Sequence, residues 1–269
     1  MRNISDQIVL SATDLSNFLN CRHHTALELG EARGKRSRPQ FYDAVLEALF
    51  ARGLEHERQY VEGLESAGRR IVNLAEIKDR TEAVARTVNA LRAGADAIVQ
   101  GALEDGNWYG RPDVLLRTDA PSALGVWAYE VADTKLARET RGGTILQLGL
   151  YCEMLARIQG RRPERFYVVT PDTAAPVHEY RVDDYAAYFR LIRALLEETV
   201  GADDEVLAAA HYPEPVDHCD VCPWSSVCSH KRRTDDTCLW WPASRACSDA
   251  NWRRATSRRS RHLQRCPCL

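Results

Sequence analysis

Three stretches in the first third of the chain carry apolar residues at helical spacing. "SATDLSNFLNC" (11–21) opens on a Ser or Thr cap and predicts a helix running to about Cys21. "YDAVLEALFARGLEHERQYVEGLESAG" (42–68) predicts a long helix stopped by Gly68, and "RTEAVARTVNALRAG" (80–94) another. The texture then changes. "AIVQGALEDGNWYGRPDVLLRT" predicts two strands around an Asp-Gly turn, and "GVWAYEVADTKLA" a third. "GGTILQLGLYCEMLARIQG" (142–160) predicts a helix bounded by glycines, "RFYVVTP" a short buried strand and "YAAYFRLIRALLEETVG" a further helix. Helices, a small sheet with a crossover helix and a Cys-rich end predict an α/β core with an α-helical wrap. No internal repeat and no low-complexity linker interrupts it.

Composition narrows the class. The 269 residues are 45% hydrophobic, ordinary for a globular protein with a substantial core. No stretch approaches the roughly 20 apolar residues that span a bilayer, and the N-terminus has too short an apolar run for a signal peptide. A cytoplasmic location is expected, where clustered cysteines point to metal before disulfides. Net charge is −2, unevenly spread. Ten Lys/Arg against three Asp make Lys231–Leu269 +7, leaving −9 for residues 1–230. An acidic body argues against binding nucleic acid through a broad basic face.

The tail reads differently from the rest. From Thr237 onward it holds three of the six Trp and four of the nine Cys, with no apolar period. A frameshift in a GC-rich gene produces such a mixture of Cys, Trp, Arg and Ser, and a disordered basic tail is the other reading. Either way Cys238, Cys247, Cys266 and Cys268 are given no role.

The stretch "YEVADTKLAR" carries the most chemistry. Alternate strand residues share a face, so Asp133 and Lys135 project together with Val131 while Glu130 points the other way. A carboxylate there can hold a hard divalent cation, and the ammonium can orient or deprotonate a water and offset developing negative charge. A surface ion pair is the bland alternative. Mg²⁺ needs a second acid, and Asp113 in "GRPDVLLR" lies on the preceding strand. His56 in "GLEHERQ" adds an imidazole that suits Mn²⁺ better than Mg²⁺. Gln147 and Tyr151 stand i, i+4 on one helix face, able to look at the same place. Separately, "HCDVCPWSSVC" (218–228) sets Cys219, Cys222 and Cys228 at C-x2-C-x5-C spacing, one ligand short of a tetrahedral site.

Gly53-x2-His56, Gly110-x2-Asp113, Asp133-Thr134-Lys135 and Gln147-x3-Tyr151 stand in the order found in RecB-like nucleases of the PD-(D/E)XK superfamily. Over residues 11–233 the chain most resembles their iron–sulfur branch, which includes the CRISPR-adaptation exonucleases and the nuclease domain of the AddB helicase–nuclease. That resemblance implies a restriction-endonuclease-like core: a small mixed sheet flanked by helices, an N-terminal helical wrap and a C-terminal cluster-binding segment. It implies that Cys21 joins Cys219, Cys222 and Cys228 around a structural 4Fe–4S cluster. Zinc, with His218 or His230 replacing Cys21, is the alternative; Cys152 reads as a buried core thiol.

The same resemblance implies a metal-dependent deoxyribonuclease acting on single-stranded DNA or DNA ends. His56, Asp113, Asp133 and the Thr134 carbonyl would hold Mg²⁺ or Mn²⁺. Lys135 would position the water, and Gln147 and Tyr151 would orient the scissile strand. Residues 1–233 are expected to form the nuclease domain, with 234–269 a frameshifted or disordered tail in place of a helicase or nuclease partner region. A non-catalytic iron–sulfur DNA-binding module and a zinc-stapled interaction domain are the rival readings. Exonuclease polarity, and repair against phage defence, stay open.

Overall fold

The computed structural model describes residues 1–235, apart from residues 138, 173 and 175. All but the first two residues of the expected tail therefore lie outside the described residues. A hairpin of β1 (Arg2–Ile4) and β2 (Gln7–Val9) leads into α1 (Ala12–Asn20), α2 (Arg22–Ala32) and the long α3 (Ala44–Ser66). Then follow β3 (Ile71–Asn73), α4 (Arg80–Arg92), β4 (Ala97–Val99), β5 (Leu103–Asp105), β6 (Trp108–Gly110), β7 (Val114–Thr118) and β8 (Ala128–Thr134). The chain continues through α5 (Gly142–Gln159), β9 (Arg165–Val169), β10 (Val177–Arg181), α6 (Val182–Gly201), α7 (Asp204–Ala210), a 3₁₀ turn (Asp217–Val221) and α8 (Ser225–Thr234).

Six strands form the central mixed sheet in the order β10-β9-β8-β7-β4-β3, with β3–β4 and β8–β9 parallel and the other pairs antiparallel. Alternation along the strands sorts the two faces. Ile98, Leu115, Tyr129, Val131, Phe166 and Val168 pack with α1, α5 and α6 in the main core. The opposite residues Ala97, Val99, Val114 and Ala132 lie beneath Tyr60, Val61 and Leu64 of α3. Helix α5 is apolar nearly all round because it is central, with Leu146, Leu148, Leu150, Met154 and Leu155 fully buried. Cys152 sits among them as the expected core thiol, burial pushing its pKa up. None of the described helices is long and apolar enough to cross a membrane.

The long helices end where glycine was expected to end them: Gly68, Gly94 and Gly160 all adopt left-handed φ. Three features add to the expected pattern. Cys21 is extended (φ −160°) and ends α1 where that helix is expected to stop, and α2 begins directly after it. Helix α2 was unanticipated because His23 to Gly30 are all buried, so it shows no polar face from which to read a period. The two strands expected around the Asp-Gly turn are four. β4 and β7 join the main sheet, whereas β5 and β6 form a separate hairpin across that turn. The break falls at Gln100, whose φ is +53°, held by three backbone and guanidinium bonds described below. Edge strand β10 was unmarked, because "VHEYR" is exposed or half-exposed throughout and carries no apolar run.

Candidate functional site

The acidic residues meet where β8 ends and β7 begins. Val114 pairs with Ala132, so Asp113, one residue before β7, lies beside the end of β8. Its Oδ2 accepts hydrogen bonds from the backbone N–H (2.8 Å) and hydroxyl (2.9 Å) of Thr134. Asp133 faces the other side, toward α5, and is fully buried. Gln147 on α5 donates to its Oδ1 at 3.2 Å, and Lys135 closes on its Oδ2 as an ion pair. Burial and the nearby Asp113 carboxylate push the Asp133 pKa up to about 7, against the pull of Lys135.

Two residues unassigned from sequence complete this cluster. Glu57 on α3, next to His56, accepts from Gln100 Nε2 at 2.6 Å, and the same amide reaches Asp113 Oδ1 at 3.4 Å. Burial and Asp113 raise the Glu57 pKa. Gln100 is pinned in its left-handed conformation: its N–H donates to the Asp113 carbonyl, and Arg111 donates to its own carbonyl at 2.8 and 3.1 Å. Strained backbone of this kind persists where surrounding bonds over-determine it, commonly at functional sites. The positive φ is invisible in a sequence, and Glu57 looked like one more acid on a charged helix.

His56 stands at the same end of the sheet. Its Nε2 lies 3.1 Å from the Val169 carbonyl, which also accepts from the Lys135 N–H. A carbonyl can only accept, so in the neutral imidazole Nε2 carries the proton and Nδ1 is the free donor atom. Tyr151 is buried, and its ring packs on Gly110. Burial and the Asp133 charge push its hydroxyl pKa up, while hydrogen bonding with Gln147 and the Arg111 backbone pulls it down. A Cβ at Gly110 would stand 2.4 Å from Tyr151 Cε1, which gives the glycine a steric reason. Gly110→Ala is expected to destabilise the fold by about 1–3 kcal/mol in urea denaturation; an unchanged midpoint would show that the ring simply moves aside.

The cysteines converge elsewhere. Cys21, at the α1–α2 junction, lines one cavity with Cys219, Cys222 and Cys228 from the C-terminal segment, together with His24, His218 and Trp224. Leu27, Cys222, Trp224 and Cys228 form a small apolar cluster of their own. Behind it, Trp224 Nε1 donates to Glu28 Oε1 at 2.6 Å, tying α2 to the Cys-rich turn. Burial and the neighbouring Cys222 and Cys21 push the Cys228 pKa up to about 12, and burial raises Cys222 as well. Cys222 and Cys228 are thus costly to ionise without a cation, and the soft donors of the four cysteines suit a thiolate-bound metal centre. His230, the other candidate histidine, is exposed and does not line the cavity.

The family model of the PD-(D/E)XK nuclease superfamily matches residues 10–229, a span that takes in both clusters. The chain belongs to this superfamily. Its members are generally nucleases that act on DNA with divalent metal ions, and the mixed sheet flanked by helices is consistent with the superfamily's core. Among solved structures, the crystal structure of SSO0001 resembles the chain at 16% identity and a TM-score of 0.35, covering 85% of this chain and 89% of that one. No curated protein matches.

For a PD-(D/E)XK chain the donor set is coherent. Asp113 lies close enough to Asp133 and to Glu57 to raise the pKa of each, the condition a divalent cation relieves. Asp113, Asp133, Thr134, Lys135 and Gln147 form one bonded group; His56 joins through the Val169 carbonyl and Tyr151 through Gln147.

Proposed function

We propose that the chain is a divalent-metal-dependent deoxyribonuclease of the RecB-like iron–sulfur branch, hydrolysing single-stranded DNA or DNA ends. The observation that carries this reading is Asp133: a fully buried carboxylate beside a second carboxylate, paired with the lysine two residues on. A buried strand residue with that charge is costly unless it serves chemistry or is offset by a salt bridge, and a second carboxylate beside the Lys135 pair favours chemistry.

His56, Asp113, Asp133 and the Thr134 carbonyl would hold Mg²⁺ or Mn²⁺, with Glu57 as a further acid. The metal supplies Lewis-acid polarisation of the phosphate and a lowered pKa for water. Lys135 orients the attacking water and offsets the charge that builds on the phosphate. Gln147 fixes the Asp133 carboxylate, and Tyr151, braced on Gly110, fixes Gln147; together they set the line along which the strand approaches. Gln100 holds Glu57 and Asp113 at one separation. The 4Fe–4S cluster on Cys21, Cys219, Cys222 and Cys228 has a structural role, pinning α1 and α2 to the C-terminal segment. Residues 1–233 form the nuclease unit, in the cytoplasm, supplied with DNA ends by a helicase or nuclease partner region.

The test is cleavage of end-labelled single-stranded DNA with Mn²⁺ by anaerobically purified protein, beside Lys135→Ala. The variant is expected to lose about 10²–10³-fold in rate with fold and iron content intact. Equal turnover by both proteins would remove Lys135 from the mechanism. Cleavage by neither, from cluster-loaded protein, would favour the non-catalytic DNA-binding module.

A further inference from the structure

The cysteine cavity contains a second set of donors. Among the described residues, the group of three His, Cys, Asp or Glu ligand atoms lying within 4.8 Å of one another is His24, His218 and Cys222. The two imidazole rings stack with centroids 5.4 Å apart. His24 Nδ1 and His218 Nε2 are both buried without a hydrogen-bond partner. Each such nitrogen costs on the order of 1–3 kcal/mol in an interior unless something binds it.

The tautomer of His24 is settled by its other nitrogen. His24 Nε2 lies 3.3 Å from Glu28 Oε1. Glu28 is held as a carboxylate by the Trp224 N–H and by an ion pair with Arg38, so it can only accept. In the neutral imidazole the proton therefore sits on Nε2, which leaves the buried, unpartnered Nδ1 as the lone pair a metal can take. A carboxylate behind a histidine, orienting the ring and raising its basicity, is the arrangement that supports metal-bound imidazoles.

We propose that this cavity is also a mononuclear zinc site, with His24 Nδ1, His218 Nε2 and Cys222 Sγ as three of its ligands. Zinc takes mixed nitrogen and sulfur donors in tetrahedral geometry, and the fourth position falls to Cys21, Cys219 or Cys228, which line the same space. On binding, the Cys222 thiol gives its proton to solvent and the imidazoles bind as neutral bases. Cys222 belongs to both donor sets, so zinc and a four-cysteine cluster exclude one another. The zinc site does not require that the cluster exist.

The experiment uses the full chain, freed of metal under reducing conditions and titrated with Co²⁺ and then Zn²⁺, beside a His24→Gln/His218→Gln double variant. Wild type is expected to take up one Co²⁺ with a tetrahedral spectrum and a sulfur charge-transfer band, displaced by one Zn²⁺. The double variant is expected to bind Zn²⁺ at least about 10²-fold more weakly, while assembling iron and sulfide as wild type does. X-ray absorption on the zinc-loaded wild type needs no variant. It should resolve nitrogen neighbours at about 2.0–2.1 Å beside sulfur at about 2.3 Å. Four sulfur neighbours and no nitrogen, or unchanged zinc affinity in a folded double variant, would overturn the site. Protein isolated with one zinc and no iron or sulfide supports the histidine site and removes the cluster. Cluster assembly with zinc affinity unchanged in the double variant does the reverse.

Discussion

Asp133→Asn is expected to abolish cleavage while making the metal-free protein more stable. The loss of rate should reach about 10³-fold or more, because a ligand carboxylate contributes several kcal/mol and each 1.36 kcal/mol is tenfold. The gain in stability follows from the sign of the pKa shift. Folded Asp133 titrates near 7 and an ordinary aspartate near 3.8. Between those values the folded protein keeps a proton that the unfolded chain has released, so wild-type stability falls as pH rises from about 4 to 7. At 1.36 kcal/mol per unit, the penalty at pH 8 is about 1–4 kcal/mol, allowing for the Lys135 pairing that the variant also loses. Asparagine keeps the shape and the Gln147 bond and carries no charge. Denaturation midpoints of the metal-free proteins at pH 5 and pH 8 check this: the gap should widen from the lower pH to the higher. Mn²⁺ should raise the wild-type midpoint relative to the variant's, stabilising wild type by binding, about 2.7 kcal/mol at 100 times its Kd, and leaving the variant unmoved. A variant less stable than wild type at pH 8 without metal would show that Asp133 is a structural ion-pair member.

Cys21→Ser carries the second large effect. Cys21 is 198 residues from Cys219, so a cluster joining them closes nearly the whole domain into one loop. Loop-closure entropy grows only logarithmically, and a cross-link over such a length constrains the unfolded chain by about 4–5 kcal/mol. Substituting this ligand should strip most iron and sulfide and lower Tm by roughly 10 °C, at 2–4 °C per kcal/mol for a chain of this size. The α1–α2 junction should show the earliest rise in hydrogen exchange, since the cross-link to the C-terminal segment would be lost there. Retention of wild-type iron and sulfide by Cys21→Ser would place the fourth ligand elsewhere. The double histidine variant, by contrast, is expected to assemble iron and sulfide as wild type does, which separates the two donor sets in one cavity.

Both clusters were partly legible in the chain for a local reason. Asp133 and Lys135 share a face because strand side chains alternate, and Gln147 and Tyr151 because a helix repeats near four residues; these are properties of short segments. The glycine stops at Gly68, Gly94 and Gly160 belong to the same category, as does the turn at Gly106. Helix α2 escaped notice because its burial on all sides removes the polar face that a period needs. Glu57, Gln100, His24 and Glu28 escaped because their significance lies in partners 43, 13, 194 and 196 positions away in sequence: Gln100 for Glu57, Asp113 for Gln100, His218 for His24 and Trp224 for Glu28.

By itself, then, the sequence determined the types of the central helices and strands it marked, the long helix ends, the acid–lysine strand and the short spacing of three cysteines, all set by backbone geometry over a few residues. Tertiary structure alone decided which sheet face Asp133 occupies, that Glu57 and Gln100 lean on Asp113, and that His24 meets His218 in the cysteine cavity. Those outcomes depend on strand order, crossover and burial, and a buried charge or an unpaired imidazole acquires its cost only when distant segments shut out the water around it.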